Sequence, residues 1–139
     1  MSPASQIPDL SVTPDATQIF MFSAATWNRH HIHYSKDAAL AEGHKDIVVQ
    51  RALIGNFLAR LLTDWLGNAG EIRELSWKVV QSALPGQTLR CKGVVIEKNN
   101  SGSRQILTCE LKVVNSEDQA IATGSARVEL SSTTDQRKT

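Results

Sequence analysis

Three of the chain's four histidines fall in one eight-residue run, Trp27-Asn28-Arg29-His30-His31-Ile32-His33-Tyr34. Histidine titrates near neutrality, so such a run can move protons at physiological pH. It could also hold a metal, because alternate residues of a strand point the same way and would aim His31 and His33 together. No cysteine or carboxylate stands beside them to complete a ligand set, so no metal is expected. A third reading leaves the histidines as a chance cluster in a polar surface loop. Residue types alone do not decide between proton transfer and a surface loop.

Whatever the run does, the element that must position it is the apolar stretch just downstream, residues 47–67. Leu53, Ile54, Phe57, Leu58, Leu61, Leu62, Trp65 and Leu66 recur there at helical spacing. Arg51, Asn56, Arg60 and Asp64 leave only a narrow polar face. A stripe that wide predicts a helix enclosed by other structure. Gly67 is the expected stop.

Upstream, residues 1–17 contain Pro3, Pro8 and Pro14 and read as an extended arm, lying on the surface or crossing to a partner. Residues 18–22, QIFMF, read as a short strand, with Ser23 capping a helical turn after it. Ser35 is placed to cap a short helix over residues 36–42, which Gly43 ends.

Downstream, the period changes to two. Leu75, Trp77 and Val79 alternate with polar residues, and Pro85-Gly86 marks a turn. Leu89, Cys91, Gly93 and Val95 form one face of a second strand, and Leu107, Cys109, Leu111 and Val113 one face of a third. The run Asn99-Asn100-Ser101-Gly102 between them reads as a hairpin turn. After a turn over residues 115–118, Ala120, Ala122, Gly124, Ala126, Val128 and Leu130 line a last strand. One apolar face per strand predicts an antiparallel sheet covered on one side. The long helix is the only element large enough to cover it. The expected fold is therefore α+β, a single hot-dog domain over residues 18–130 in which a curved antiparallel sheet wraps one long helix. A polar tail, residues 131–139, follows it. The open sheet edges call for pairing across a two-fold axis, so a dimer is expected.

Composition narrows the class. Over 139 residues, 15 basic and 14 acidic side chains give a net charge of +1, which argues against nucleic acid or an anionic membrane as partner. No apolar run is long enough for a membrane span, and the N-terminus has neither basic nor apolar signal regions. Cys91 and Cys109 fall in expected strands and read as buried, reduced thiols in a cytoplasmic protein.

Residues 22–34, FSAATWNRHHIHY, resemble the active-site segment of MaoC-like hydratases and dehydratases. They are most similar to the branch of mesaconyl-CoA hydratase and mitochondrial-type 3-hydroxyacyl-thioester dehydratase. Gly43-His-Lys-Asp-Ile-Val-Val49 and Thr63-Asp-Trp-Leu-Gly67 resemble the small subunit of two-chain enoyl-CoA hydratases of bacterial steroid side-chain degradation. The turn Pro85-Gly86-Gln87-Thr88-Leu89 resembles one that recurs in this fold.

The resemblance implies a catalytic pair, an aspartate and a histidine five residues later. Asn28 and His33 stand at the matching positions, so the aspartate is replaced by an amide that can orient water or a carbonyl but cannot take a proton at neutral pH. Tyr34 and His31 are implied auxiliaries. The resemblance also implies an oxyanion site where the long helix begins, since unpaired N–H groups and the helix dipole favour negative charge there. Family members carry His-Gly at this point; Gln50 and Arg51 match it here, and the N–H of Arg51 or Ala52 would serve the thioester carbonyl. Arg51 and Lys45 are candidate contacts for a CoA phosphate.

The activity implied is a lyase that adds water to a 2-enoyl thioester or removes it from a 3-hydroxyacyl thioester. It would need no cofactor, the substrate being carried as an acyl-CoA. The chain would act as a homodimer, or as a heterodimer or heterotetramer with a second MaoC-like chain. Two alternatives stand beside it. One is a non-catalytic hot-dog subunit of a heteromeric hydratase, suggested by Asn28 and the Gln50-Arg51 pair. The other is a hot-dog thioesterase, for which Asp46 is the nearest carboxylate to the helix start.

Overall fold

A computed structural model describes residues 5–131; residues 1–4 of the expected arm and 132–139 of the expected tail lie outside the described residues. Five strands, β1 (Ser5–Val12), β2 (Gly70–Val79), β3 (Leu89–Ser101), β4 (Arg104–Val114) and β5 (Ala120–Leu130), form one antiparallel sheet in the order β1-β3-β4-β5-β2. Helices α1 (Ala16–Thr26), α2 (Lys36–Ala41) and α3 (Arg51–Leu66) and a 3₁₀ turn, His31–His33, complete the fold.

The wide apolar stripe behaves as its width demands. Leu53, Ile54, Phe57, Leu58, Leu61, Leu62 and Leu66 of α3 are buried, with Trp65 partly so. They meet Leu89, Cys91 and Val95 of β3, Leu107, Cys109, Leu111 and Val113 of β4, and Ala122, Ala126 and Val128 of β5. The sheet wraps α3, giving the hot-dog arrangement. Gly55 makes the closest approach possible: a Cβ there would lie 2.2 Å from Cζ2 of Trp77 on β2. Trp77 in turn donates its indole N–H to the Arg51 carbonyl at 2.9 Å, and the Arg51 guanidinium sits 4.5 Å from the Trp77 ring centroid while donating to the Trp77 carbonyl.

Several expectations change. Much of the arm is strand β1, paired with β3 and bulged between Ile7 and Leu10, so it is part of the sheet itself. The expected strand at residues 18–22 is the middle of α1. Asp15 caps that helix by accepting from the Gln18 N–H at 2.8 Å, and α1 buries only Ile19 and Ser23. With so little buried, its apolar residues carry no helical period, and a short apolar run is ambiguous between helix and strand. Strand β2 does not open a meander: it runs along β5 at the far edge, and only β3, β4 and β5 follow one another. The hairpin turn is tighter than expected. Ser101 still pairs with Arg104, leaving Gly102, at φ +63°, and Ser103 as the turn. Ser35 does cap α2, accepting from the Ala38 N–H.

The long helix starts at Arg51 rather than Ile47. Residues 47–50 stay extended because other segments hold their backbone. The Val48 N–H donates to the Ile32 carbonyl and the Val49 N–H to the Ala83 carbonyl, both at 2.9 Å. This short extended segment joins the histidine run to the helix.

Candidate functional site

Helix α1 ends at Trp27, which takes the left-handed conformation, φ 57°. That reversal lets both the Trp27 and Asn28 N–H groups donate to the Ser23 carbonyl and turns the chain into the histidine run. The Asn28 side-chain oxygen accepts from the His30 N–H at 3.3 Å. Asn28 also lines a cleft of about 200 Å³ with Phe20, Ser23, Trp27, Arg29 and Tyr34. His33 is not among the residues lining it.

His33 sits in the 3₁₀ turn, 8% exposed. Its Nδ1 lies 2.7 Å from the Val48 carbonyl oxygen. A carbonyl only accepts, so Nδ1 carries the proton, and Nε2 of the neutral ring is left as a proton acceptor. Burial pushes the His33 imidazole below its ordinary value of 6.5; the Val48 bond partly offsets this, and His30 and His44 add to the lowering. At neutral pH the ring is therefore an unprotonated base in a fixed orientation.

Opposite charge-handling features meet at the start of α3. Gln50 is the helix cap residue but makes no capping bond. The first-turn N–H groups, Arg51 and Ala52 among them, have no side-chain cap, which leaves a partial positive charge there. Gln50 is fully buried, and its amide nitrogen donates to the Ile19 carbonyl and to Ser23 Oγ, both at 2.7 Å. Its Oε1 is buried without a partner among the described residues. Ser23 therefore ties Asn28, through its carbonyl, to Gln50, through its hydroxyl. The Val48 bonds tie His33 to the same extended segment. The base, the amide and the helix N-terminus thus belong to one hydrogen-bonded unit.

Other candidates fall outside that unit. The Arg51 side chain is committed to Trp77 and does not extend toward the histidine run. Tyr34 braces the loop, its hydroxyl donating to the Arg29 carbonyl at 2.9 Å and its ring packing edge-on to Phe20 and His31. His31 is exposed whereas His33 is buried, because a 3₁₀ turn, not a strand, carries them. The shared direction that a metal pair needs is absent, and among the described residues no three His, Cys, Asp or Glu side chains come together. Lys45 is exposed on the rim of a separate cleft of about 330 Å³. Asp46 accepts from the N–H of Ile47 beside it, at 2.8 Å.

Ser23 and His30 were missed as site residues by sequence reasoning. Ser23 meets Gln50 across 27 positions, a separation no local pattern reveals. His30 lay inside the run, and its signal was its position three residues before His33.

The profile of one protein family, hydroxyacyl-thioester dehydratase type 2, matches residues 2–85, more than half of the chain. Among curated proteins, the chain is 30% identical over 73 residues to the 3-oxo-4,17-pregnadiene-20-carboxyl-CoA hydratase beta subunit of Mycobacterium tuberculosis. The match spans 52% of this chain and 57% of that relative, a little over half its length. Among solved structures, the ChsH1-ChsH2 complex of Mycobacterium tuberculosis superposes with a TM-score of 0.82 at 23% identity, over 93% of this chain and 98% of that one. The (R)-hydratase of A. caviae gives 0.84 at 18% identity, over 94% and 97%. The MaoC-like dehydratase of Rhodospirillum rubrum gives 0.84 at 16%, over 95% and 94%. At these identities the structural likeness speaks for the fold alone.

Proposed function

Because the chain belongs to the hydroxyacyl-thioester dehydratase type 2 family, we propose that it hydrates 2-enoyl-CoA thioesters or dehydrates the 3-hydroxyacyl products, with His33 as acid and base. The observation that carries this is the buried His33 ring, whose Nδ1–H is held by the Val48 carbonyl.

In the hydration direction, Nε2 of His33 takes a proton from water while the water oxygen bonds to the β-carbon. The π electrons move to the α-carbon and the thioester carbonyl, giving an enolate. The N–H groups of Arg51 and Ala52 at the start of α3 stabilise its oxygen, an effect often worth several kcal/mol in the barrier. The imidazolium then returns its proton to the α-carbon, and the enolate collapses to the thioester. Asn28 cannot exchange a proton, so it serves by orienting water or the substrate. Gln50 holds the N-terminal segment of α3 against α1. No electrons are transferred and protons balance, so the chemistry asks for no cofactor beyond the CoA that carries the acyl group.

A second hot-dog chain as partner is also proposed. Among the described residues, β1 and β2 are the edge strands of the sheet. The relative named above is a beta subunit, and one similar structure is a two-component complex. A heterodimer or heterotetramer fits both facts, and a homodimer closes the same edges. Two buried free thiols suit a reducing compartment such as the cytoplasm.

The test follows crotonyl-CoA and longer 2-enoyl-CoA probes by loss of enoyl-thioester absorbance, with free thiol measured in parallel. The chain is assayed alone and with a co-purified hot-dog partner. Absorbance loss without thiol release is expected, and thiol release would indicate a thioesterase instead. His33→Ala should reduce turnover by roughly 10²- to 10⁴-fold, the range for a general acid–base group. Undiminished turnover in that variant overturns the assignment.

A further inference from the structure

We infer that His30 is a positioning residue for the proposed acid–base group, fixing Asn28 and His33 relative to one another. The inference rests on the reading of His33 given above. Four contacts of one residue carry it. The His30 N–H donates to the Asn28 side-chain oxygen at 3.3 Å. Its imidazole Nδ1 accepts from the Ile32 N–H at 3.4 Å, capping the 3₁₀ turn. Its carbonyl accepts from the His33 N–H at 3.2 Å. Its ring packs edge-on against the His33 ring, centroids 5.8 Å apart. Of the residues hydrogen-bonded to Asn28, Ser23 and His30, it is His30 that also bonds to the turn bearing His33. Two of the contacts are main-chain and follow the backbone; the cap and the ring contact belong to the side chain.

The capping bond makes a specific demand. Nδ1 must be an acceptor, so in neutral His30 the proton sits on Nε2, the atom 3.9 Å from the Glu42 carboxylate. An asparagine can replace that acceptor, because its side-chain oxygen accepts from the N–H two residues on. An alanine cannot. Asparagine also removes the ring beside His33. Position and ring are therefore separable by two substitutions at an exposed residue whose loss leaves the core intact.

The experiment compares wild type, His30→Ala, His30→Asn and His33→Ala in two readouts. The first is turnover of crotonyl-CoA, with any partner needed for activity. The second is NMR titration of the His33 ring, which needs no substrate. His30→Ala should lower kcat roughly 10-fold or more with KM changed little, since small misplacements of a reacting group are costly. It should also blur the single Nδ1–H tautomer of His33. His30→Asn should restore kcat to within about threefold of wild type and keep the tautomer, while moving the His33 titration to higher pH, because His30 contributes to lowering it. Equal behaviour of the alanine and asparagine variants overturns the inference. So does an unchanged tautomer in His30→Ala, whether or not turnover can be measured. Undiminished turnover in His33→Ala instead overturns the reading of the site, leaving the two failures distinguishable.

Discussion

His33 combines two properties that pull in different directions. Its burial disfavours the imidazolium, while the Val48 carbonyl fixes a proton on Nδ1 and favours the charged ring. Burial wins, and the ring titrates below 6.5. A base must be neutral to act, so kcat/KM for hydration should fall as pH drops through a value below 6.5, with a flat profile above it up to the next titration. An acid limb centred above 6.5 would contradict the assignment of His33. Stability follows the same sign. The unfolded chain binds a proton at His33 more readily than the folded one, so this residue takes stability away as pH falls from 6.5 to the folded value and is neutral above. Gln50 presents the opposite case at this scale: an amide with two good donor contacts and a buried oxygen that has no partner among the described residues.

At the scale of elements, α3 and β2 are fastened by a glycine, a tryptophan and an arginine. Gly55→Ala would drive a methyl to 2.2 Å from Trp77. Because Trp77 is also held by the Arg51 carbonyl, it cannot withdraw freely, and a loss of about 1–3 kcal/mol in chemical denaturation is expected. An alanine variant as stable as wild type would mean that β2 yields easily. The α3 stripe and the alternating faces of β3, β4 and β5 were legible in the sequence because buried side chains repeat with the period of their element. The fate of residues 18–22 was not, since α1 buries Ile19 and Ser23 and exposes Phe20 and Met21. Apolar patterning alone did not mark the start of α3 either: Ile47, Val48 and Val49 are apolar and buried, yet the Ile47 N–H is committed to the Asp46 side chain and those of Val48 and Val49 to other loops, whereas the resemblance placed the helix start at Gln50-Arg51. In the histidine run, the residue types advertised proton chemistry. The resemblance singled out His33 among them by its spacing from Asn28, but its burial depends on a bond to Val48, 15 positions away, that residue types do not encode.

Across the whole molecule, the apolar interior includes both cysteines, and neither can reach the other. Cys91 pairs with Val113, and Cys109 with Val95, so the thiols lie at different levels of neighbouring strands. Burial pushes the Cys91 thiol up to about 12 and the Cys109 thiol up to about 11. Reaction with an aromatic disulfide reagent should be negligible in the native protein at neutral pH and should reach two equivalents only after denaturation. Rapid labelling of a native thiol would show that the β3–β4 region opens. Among the described residues, no helix is long and apolar enough to cross a membrane. Among the described residues, β1 and β2 are the edge strands, and the proposed partner would extend the sheet at one of them.

The contact between Trp77 and Arg51 also gives the molecule an optical handle. Of three tryptophans, Trp27 is 78% exposed and Trp65 lies toward the far end of α3. Trp27 sits under the Arg29 guanidinium, whereas Trp77 has its indole N–H on the first residue of α3 and that same residue's guanidinium over its ring. Its emission is therefore tied to the geometry of the helix terminus that would receive a thioester. With Trp27 and Trp65 replaced by phenylalanine, the protein would report occupancy at that terminus by its own fluorescence, without an added label and without turnover.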